Sequence, residues 1–332
     1  MSVEILTIGT CLVELSPGDG DLTIAEAPVL YKQAAGAATH FACVVSKLGV
    51  RSGLVSCVGD DSLGEFMIGE LTGMGVDASL VGRVQGQLTS VSFASADRAG
   101  GKTFTFYRFS GYSDPLETLV SGDIPDEALA GTRLFDFTEG CLRSPGILRD
   151  STLNMADRCR NFGVETCYAP NWRPGLWHMG LEDALHTQRR AIRSCDLLIL
   201  NTEEALLISE ESTVVAAAVR LGSWGPHTVV VTGGGDRPAL VWERGQTWEV
   251  VPFPVDVRYD VNAGDTFHAG FLSAHVRGIA AAGAGQFAAA AAAIKISRIP
   301  LLTNLPTWDE VERFLVGARP PEPCRPGSAG RR

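Results

Sequence analysis

Three absences narrow the field. No Cys-x-x-Cys pair occurs among the eight cysteines, at positions 11, 43, 57, 141, 159, 167, 195 and 324. Several of them lie in apolar strand-like or helix-like segments. They read as buried free thiols of a cytoplasmic protein, not as a disulfide framework or a zinc site. The chain has no basic run, and its net charge is −10. That excludes the cationic footprint a nucleic acid demands, while one or two local arginines still suffice for an anionic small molecule. No apolar run is long enough for a membrane span. The run at 279–294 is mostly alanine and glycine and contains Gln286. The opening Met-Ser-Val-Glu-Ile-Leu-Thr-Ile-Gly lacks a basic region and a long apolar stretch, so it reads as a first buried strand rather than a signal peptide. No internal repeat is visible.

What remains is a chain of 332 residues, 45% hydrophobic and 20% charged, with ample material for a core. Short apolar runs at Ile5–Ile8, Gly53–Val58, Arg133–Phe137, Val164–Tyr168, Leu197–Leu200 and Thr228–Val231 alternate with helical patterns. Two of the helices, Thr39–Leu48 and Leu63–Met74, stop at Gly49 and Gly75. This alternation predicts a doubly wound α/β domain with a mostly parallel sheet covered on both faces. Residues 12–33 and 87–109 break the rhythm. Strings such as Ser90-Val-Ser-Phe-Ala-Ser and Lys102-Thr-Phe-Thr-Phe-Tyr-Arg alternate polar with apolar, as half-exposed antiparallel strands do. They are assigned to a small β-sheet lid on a single domain, 1–318. The Pro-, Gly- and Arg-rich tail, 319–332, is expected to be disordered.

The most informative stretch is 257–271, Val-Arg-Tyr-Asp-Val-Asn-Ala-Gly-Asp-Thr-Phe-His-Ala-Gly-Phe. Asn262, Ala263 and Gly264 form a small turn ending at Asp265, and a mostly buried helix follows. Backbone N–H groups at a helix N-terminus lack intrahelical partners and favour an anion. A carboxylate beside such a turn meets the needs of phosphoryl transfer to a hydroxyl: the amides hold charge while Asp265 takes the proton. The same string also reads as a plain helix start with Asp265 as its cap.

Other polar groups sit where ligands of open parallel sheets bind, at the carboxyl ends of strands. Asn201 and Glu204 follow one strand; they suit a hydrated Mg²⁺ or, equally, a capped helix start. Thr232 leads into the turn Gly233, Gly234, Gly235, which allows close approach of a nucleotide or makes a tight hairpin. Asn171 and Arg173 follow the strand at Val164–Tyr168, and Tyr107 with Arg108 closes the second lid strand. An arginine on each side of a cleft suits a carboxylate or phosphate, or a surface ion pair. Gly36, just before a helix, allows a ligand or tight packing to come close. Glu14 is placed to accept hydrogen bonds from hydroxyls. His40 and His268 read either as packed residues or as ligand contacts.

In this order, the pieces resemble the ribokinase-like (PfkB) carbohydrate kinases over roughly residues 3–316. The resemblance is carried by Ile8-Gly9, Ala35-Gly36, Lys47-Leu48-Gly49, Val58-Gly59-Asp60-Asp61-Ser62-Leu63-Gly64, Gly75-Val76-Asp77, Asn201-x-x-Glu204 and Asn262-Ala-Gly-Asp265. It implies ATP and Mg²⁺, with transfer of the γ-phosphoryl group to a sugar hydroxyl. Asp265 would be the base, the amides of Ala263, Gly264 and Asp265 the anion hole, and Asn201 with Glu204 the organisers of Mg²⁺. A monovalent cation near the Asp265 loop and a homodimer formed through the lid are implied in the same way. Within the family, Tyr107-Arg108 and Asn171-Trp-Arg-Pro-x-Leu-Trp look most like the 2-keto-3-deoxygluconate kinases, whose matching tyrosine and arginines face a sugar-acid carboxylate. The 5-keto-2-deoxygluconate kinases share a similar pattern.

The chain departs from the family pattern at several points. His40 stands where an asparagine contacts sugar hydroxyls, and Asn262 replaces the first glycine of the anion turn. Asp260 is shifted by one, Ala169 replaces an aspartate, and Arg237 replaces a glycine. These changes define the competing expectation, a sugar-binding protein of impaired catalysis on the same fold. A nucleoside kinase is a third, and it would want an apolar base pocket where the arginines stand.

Overall fold

The computed structural model describes residues 2–17, 22–96, 102–107, 114–143, 145–172, 177, 179–298 and 302–318. From β1 (Ile5–Ile8) the chain leaves the main body through β2 (Leu12–Pro17) and β3 (Leu30–Ala35). It returns along α1 (Ala37–Lys47) to β4 (Ser52–Gly59), α2 (Ser62–Gly73) and β5 (Val81–Val84). A second excursion makes β6 (Val91–Ala96) and β7 (Lys102–Tyr107), and α3 (Asp126–Ala130) brings the chain back to β8 (Leu134–Thr138). Helices and strands then alternate through α4 (Ile147–Asn161), β9 (Glu165–Ala169), α5 (Leu181–Arg193), β10 (Leu197–Asn201), α6 (Thr202–Ser209), α7 (Val214–Gly222) and β11 (Thr228–Thr232). A hairpin of β12 (Ala239–Glu243) and β13 (Gln246–Val250) precedes α8 (Ala263–Val276), α9 (Ala281–Ile296) and α10 (Trp308–Gly317).

The main sheet has nine strands in the order β13-β12-β11-β10-β9-β8-β1-β4-β5. Strands β5 through β11 of that order run parallel, and the β12–β13 hairpin is antiparallel at the edge. From β1 the chain winds toward β4 and β5 on one side and toward β8 to β11 on the other. The winding reverses between β1 and β8, which opens a crevice at the carboxyl ends of the strands. The remaining strands form a separate sheet, β3-β2-β6-β7.

The strands are apolar on both sides because both sheet faces are covered: all of β1 and all of β4 are buried. Successive residues therefore serve different cores. Ile5, Leu54, Cys167 and Leu197 meet Phe271 and Leu272 of α8 on one face. Leu6, Ile8, Phe135 and Tyr168 meet Leu153 and Ile192 of α4 and α5 on the other. Each fully buried side chain of this size contributes roughly 1.5–3 kcal/mol relative to exposure. The seven cysteines among the described residues are all buried free thiols. No helix among these residues is long and apolar enough to cross a membrane.

Most expected elements occur within a residue or two of their expected ends. The α1 and α2 helices stop at Leu48 and Met74, each followed by a left-handed glycine, Gly49 at φ 75° and Gly75 at φ 78°. The edge strands β5, β12 and β13 were not anticipated. The β12–β13 turn is Arg244-Gly245, with φ 47° and 91°, and alternating apolar residues flank it. That is a hairpin signal of the two-residue kind, hidden by an arginine where Asn or Gly is usual.

Candidate active site

Helix α8 begins two residues before Asp265. Its N-cap is Asn262, held left-handed at φ 61°, ψ 18°, with no side-chain capping bond. Asparagine tolerates that conformation better than most residues. Asp265 is therefore the third residue of the helix and is half-buried, so the capping reading of this residue does not hold. The first intrahelical bond is Thr266 N–H to Asn262 O, at 3.0 Å. Of the three amides expected to form an anion hole, that of Ala263 donates to Asp260 O at 3.1 Å. Gly264 faces open space, and a Cβ built there would meet nothing within 4 Å.

Two contacts lock α8 to the main sheet. His268 Nε2 lies 2.9 Å from Asp136 Oδ1 on β8 and 3.7 Å from Cys167 Sγ on β9. Thr7 Oγ1 donates to Asp136 Oδ2 at 2.9 Å. Two turns along, His275 Nε2 lies 2.7 Å from Glu165 Oε2, and His227 Nε2 lies 3.1 Å from Glu165 Oε1. Burial alone would raise the Glu165 carboxyl, but the bonds from His227 and His275 hold it down at about 2. Asp136 is mid-strand and Glu165 opens its strand, so α8 runs against the strands and its N-terminus reaches their carboxyl edge. His268 is thus a packed residue. The expectations had no place for Glu165 or His275, since nothing in their local patterns links them.

The substrate turn and the anion turn touch. His40 is buried on α1; its Nε2 is 3.2 Å from Thr266 Oγ1, and Asn262 Nδ2 donates to its Nδ1 at 3.4 Å. Thr266 Oγ1 in turn donates to Asn262 O at 2.9 Å. This arrangement requires the neutral tautomer with its proton on Nε2. Burial, assisted by the charge of Lys295, pushes the His40 pKa down to about 3, so the ring is neutral. Both ring nitrogens are engaged with α8. Of the two readings of His40, these contacts fit the packed one: it braces the anion turn.

Glu14, on β2, accepts a bond from Gln33 Nε2 at 2.7 Å, and burial raises its carboxyl. With His40, Tyr259, Asn262 and Lys295 these residues line a small cleft. Register places Glu14, Gln33, Ser92 and Phe106 in one row of the small sheet, hence on one face. Tyr107 pairs with Val91 at the end of β7, in the row of Val13 and Ala34. Arg108 and Arg173 lie outside the described residues, as does the tail, 319–332. Gly36 caps α1 at φ 109°, and a Cβ there would lie 2.2 Å from Thr10 O, so close packing of chain on chain requires the glycine.

A second group occupies the ends of β9, β10 and β11. Asn201 and Glu204 form a reciprocal capping box on α6. Glu204 Oε2 accepts the N–H of Asn201 at 2.8 Å, and Oε1 accepts the N–H of Trp172 at 2.5 Å. Asn171, before that tryptophan, is left-handed at φ 46°. Glu204 is 4% exposed with both oxygens engaged. It braces α6 against Trp172, which follows β9. Asn201 is exposed and pairs in register with Thr232. The glycine turn is the β11–β12 hairpin loop. Gly233 is enforced by Arg237 O and Pro238 O, each 2.5 Å from a built Cβ. Gly234 and Gly235 are left-handed, and nothing lies within 4 Å of a Cβ on Gly235. Of the two sequence readings, the hairpin is what the structure shows.

A doubly wound sheet of this order, with a small second sheet beside its switch point, is the ribokinase-like α/β fold. Known proteins agree with that class. The sequence profile described as pfkB family carbohydrate kinase matches residues 3–308, and the chain belongs to that family. It is 24% identical over 330 residues to a 5-dehydro-2-deoxygluconokinase of Geobacillus thermodenitrificans, covering 97% of this chain and 96% of that protein. It is 30% identical over 330 residues to a fructokinase of Klebsiella pneumoniae, covering 95% and 100%. Among solved structures, a proposed ribokinase II from E. coli in complex with ATP and Mg²⁺ superposes with a TM-score of 0.85 at 22% identity, covering 95% of this chain and 99% of that one.

Proposed function

We propose that this carbohydrate kinase moves the γ-phosphoryl group of ATP to a hydroxyl of a small sugar acid, with 2-keto-3-deoxygluconate as the first candidate. The observation that carries the reading is Asp265 in the first turn of a helix whose N-terminus reaches the carboxyl edge of the sheet. In the transfer, the acceptor oxygen bonds to the γ-phosphorus as the bond to the β,γ-bridging oxygen breaks. The hydroxyl proton passes to the Asp265 carboxylate. The amide of Gly264 would face the transferring group, and Ala263, bonded back to Asp260, keeps the turn tight. Thr232 and the glycines 233–235 would border the nucleotide. Bound Mg²⁺ would offset phosphate charge; Asn201 is the residue suited to meet it, through water, while Glu204 holds Asn201 in place.

On the acceptor side, Glu14 and Asn171 would meet hydroxyls, and Tyr107, Arg108 and Arg173 the carboxylate. The small sheet would act as a lid that keeps water from ATP. A cytoplasmic setting suits the buried free thiols. Exposed Tyr31, Phe104 and Phe106 on the small sheet are in keeping with a homodimer. A second acceptor, 5-keto-2-deoxygluconate, is favoured by several similar proteins named 5-dehydro-2-deoxygluconokinase.

ADP release over a panel of sugars and sugar acids, including both keto-deoxygluconates, tests the proposal. Turnover with one of these acids supports it. Turnover confined to neutral sugars removes the sugar-acid assignment. Binding of a sugar acid without ADP release would favour the catalytically impaired alternative.

A further inference from the structure

We infer that the Lys295 ammonium is a built-in cation for the loop that carries the anion turn, so that the protein needs no bound monovalent metal ion there. The inference deepens the proposed reaction and rests on it. Lys295 lies in the last turn of α9 and is 5% exposed. Its Nζ contacts the carbonyl oxygens of Val261 and, at 3.4 Å, Tyr259. It also lies 5.1 Å from the centre of the Tyr259 ring. These carbonyls belong to the residues just before Asn262.

A buried ammonium is costly unless oxygen donors surround it, and the negative end of a helix favours one. Converging backbone carbonyls at a helix C-terminus are also the hard-oxygen donor set that holds an alkali cation. The donor atoms thus fit a monovalent cation in kind, but the side chain of this protein already supplies the charge. The loop is fastened to the same helix end: Arg258 and Tyr259 both donate their N–H groups to Ile296 O, at 2.8 and 3.0 Å. Lys295 therefore positions the 259–261 segment and, through it, the turn at Asn262. Its charge also helps keep His40 neutral, which preserves Nδ1 as the acceptor for Asn262. A metal ion held only by backbone oxygens could exchange with solvent. A covalently attached ammonium cannot leave.

The test compares wild type with Lys295→Ala and Lys295→Met in tetramethylammonium, sodium, potassium and ammonium chloride at one ionic strength. Initial rates use ATP with the active acceptor from the panel, and melting temperatures are recorded in parallel. Wild type is expected to vary by less than about twofold among the four salts, whereas the alanine variant should lose at least about tenfold in kcat and regain much of it in ammonium or potassium. Melting should follow: the small cations raise the alanine variant and leave wild type unchanged. The methionine variant, whose side chain fills the space without charge, should be impaired and not rescued.

Strong potassium stimulation of wild type would overturn the inference. So would an undiminished Lys295→Met, or a folded Lys295→Ala that no cation rescues or stabilises. If wild type phosphorylates nothing on the panel, the kinase reading fails and the melting arm still decides this one. If Lys295→Ala does not fold in any salt, salt dependence of wild type decides.

Discussion

The carboxamide of Asn262 donates to the imidazole of His40 at 3.4 Å, joining positions 222 residues apart in the chain. Each is a departure from the family pattern, and they are partners. A glycine turn needs no support; an asparagine with a side chain to place does, and His40 receives it.

That partnership sets an acid limit on stability. Burial holds His40 neutral in the folded state with a pKa of about 3, while the unfolded chain titrates near 6.5. The unfolded state binds more protons between these values, so stability is complete above 6.5 and falls as pH drops toward 3. Between pH 7 and pH 5 the loss should be about 2 kcal/mol. Glu165, held at about 2 by His227 and His275, adds a further loss from about 4.5 downward. Urea unfolding of wild type and His40→Asn at both pH values checks this. A wild type as stable at pH 5 as at pH 7, or a slope unchanged in the variant, would count against it.

Asp265→Asn keeps the shape of the first turn and removes the proton acceptor. Turnover should fall by about 10²–10⁴-fold with little change in ATP affinity measured calorimetrically. Near wild-type turnover would sink the assignment of this residue.

Gly264→Ala separates folding from chemistry. A Cβ at Gly264 meets nothing within 4 Å, and the residue is helical. Alanine should hold or raise the melting temperature, by up to about 1 kcal/mol in stability. A methyl group in front of the amides should still lower kcat by about tenfold or more. Full activity in the variant would mean that the transferring group does not approach here.

Arg108→Ala and Arg173→Ala test the carboxylate clamp by selectivity. Each should raise KM for a sugar acid by roughly tenfold or more and leave a neutral sugar nearly unaffected. Equal effects on both acceptors would remove the clamp.

Much of the fold was legible because its strands are buried on both faces. Leu197–Leu200 is an unbroken apolar run, and Ile5–Ile8 and Thr228–Val231 are apolar but for one threonine each. The edge hairpin escaped because its turn uses Arg244 in a left-handed position. Asn201 and Glu204 were visible as a spacing, but spacing does not separate a capping box from a metal site. The structure shows the capping box, and it adds a bond from Trp172, 32 residues away, that spacing could not reveal. The brace of His40 on Asn262 and the clasp of Glu165 on His275 were invisible for the same reason. They are tertiary contacts between residues whose own neighbourhoods carry no periodic signal.

The two histidine contacts of α8 have a mechanical meaning. A rod pinned at His268 and His275 to adjacent strands can neither slide along its axis nor roll about it without breaking a pin. The placement of Asp265 is therefore tied to the nine-stranded sheet through these two contacts. Heat should abolish function at the temperature where the whole body melts, not earlier.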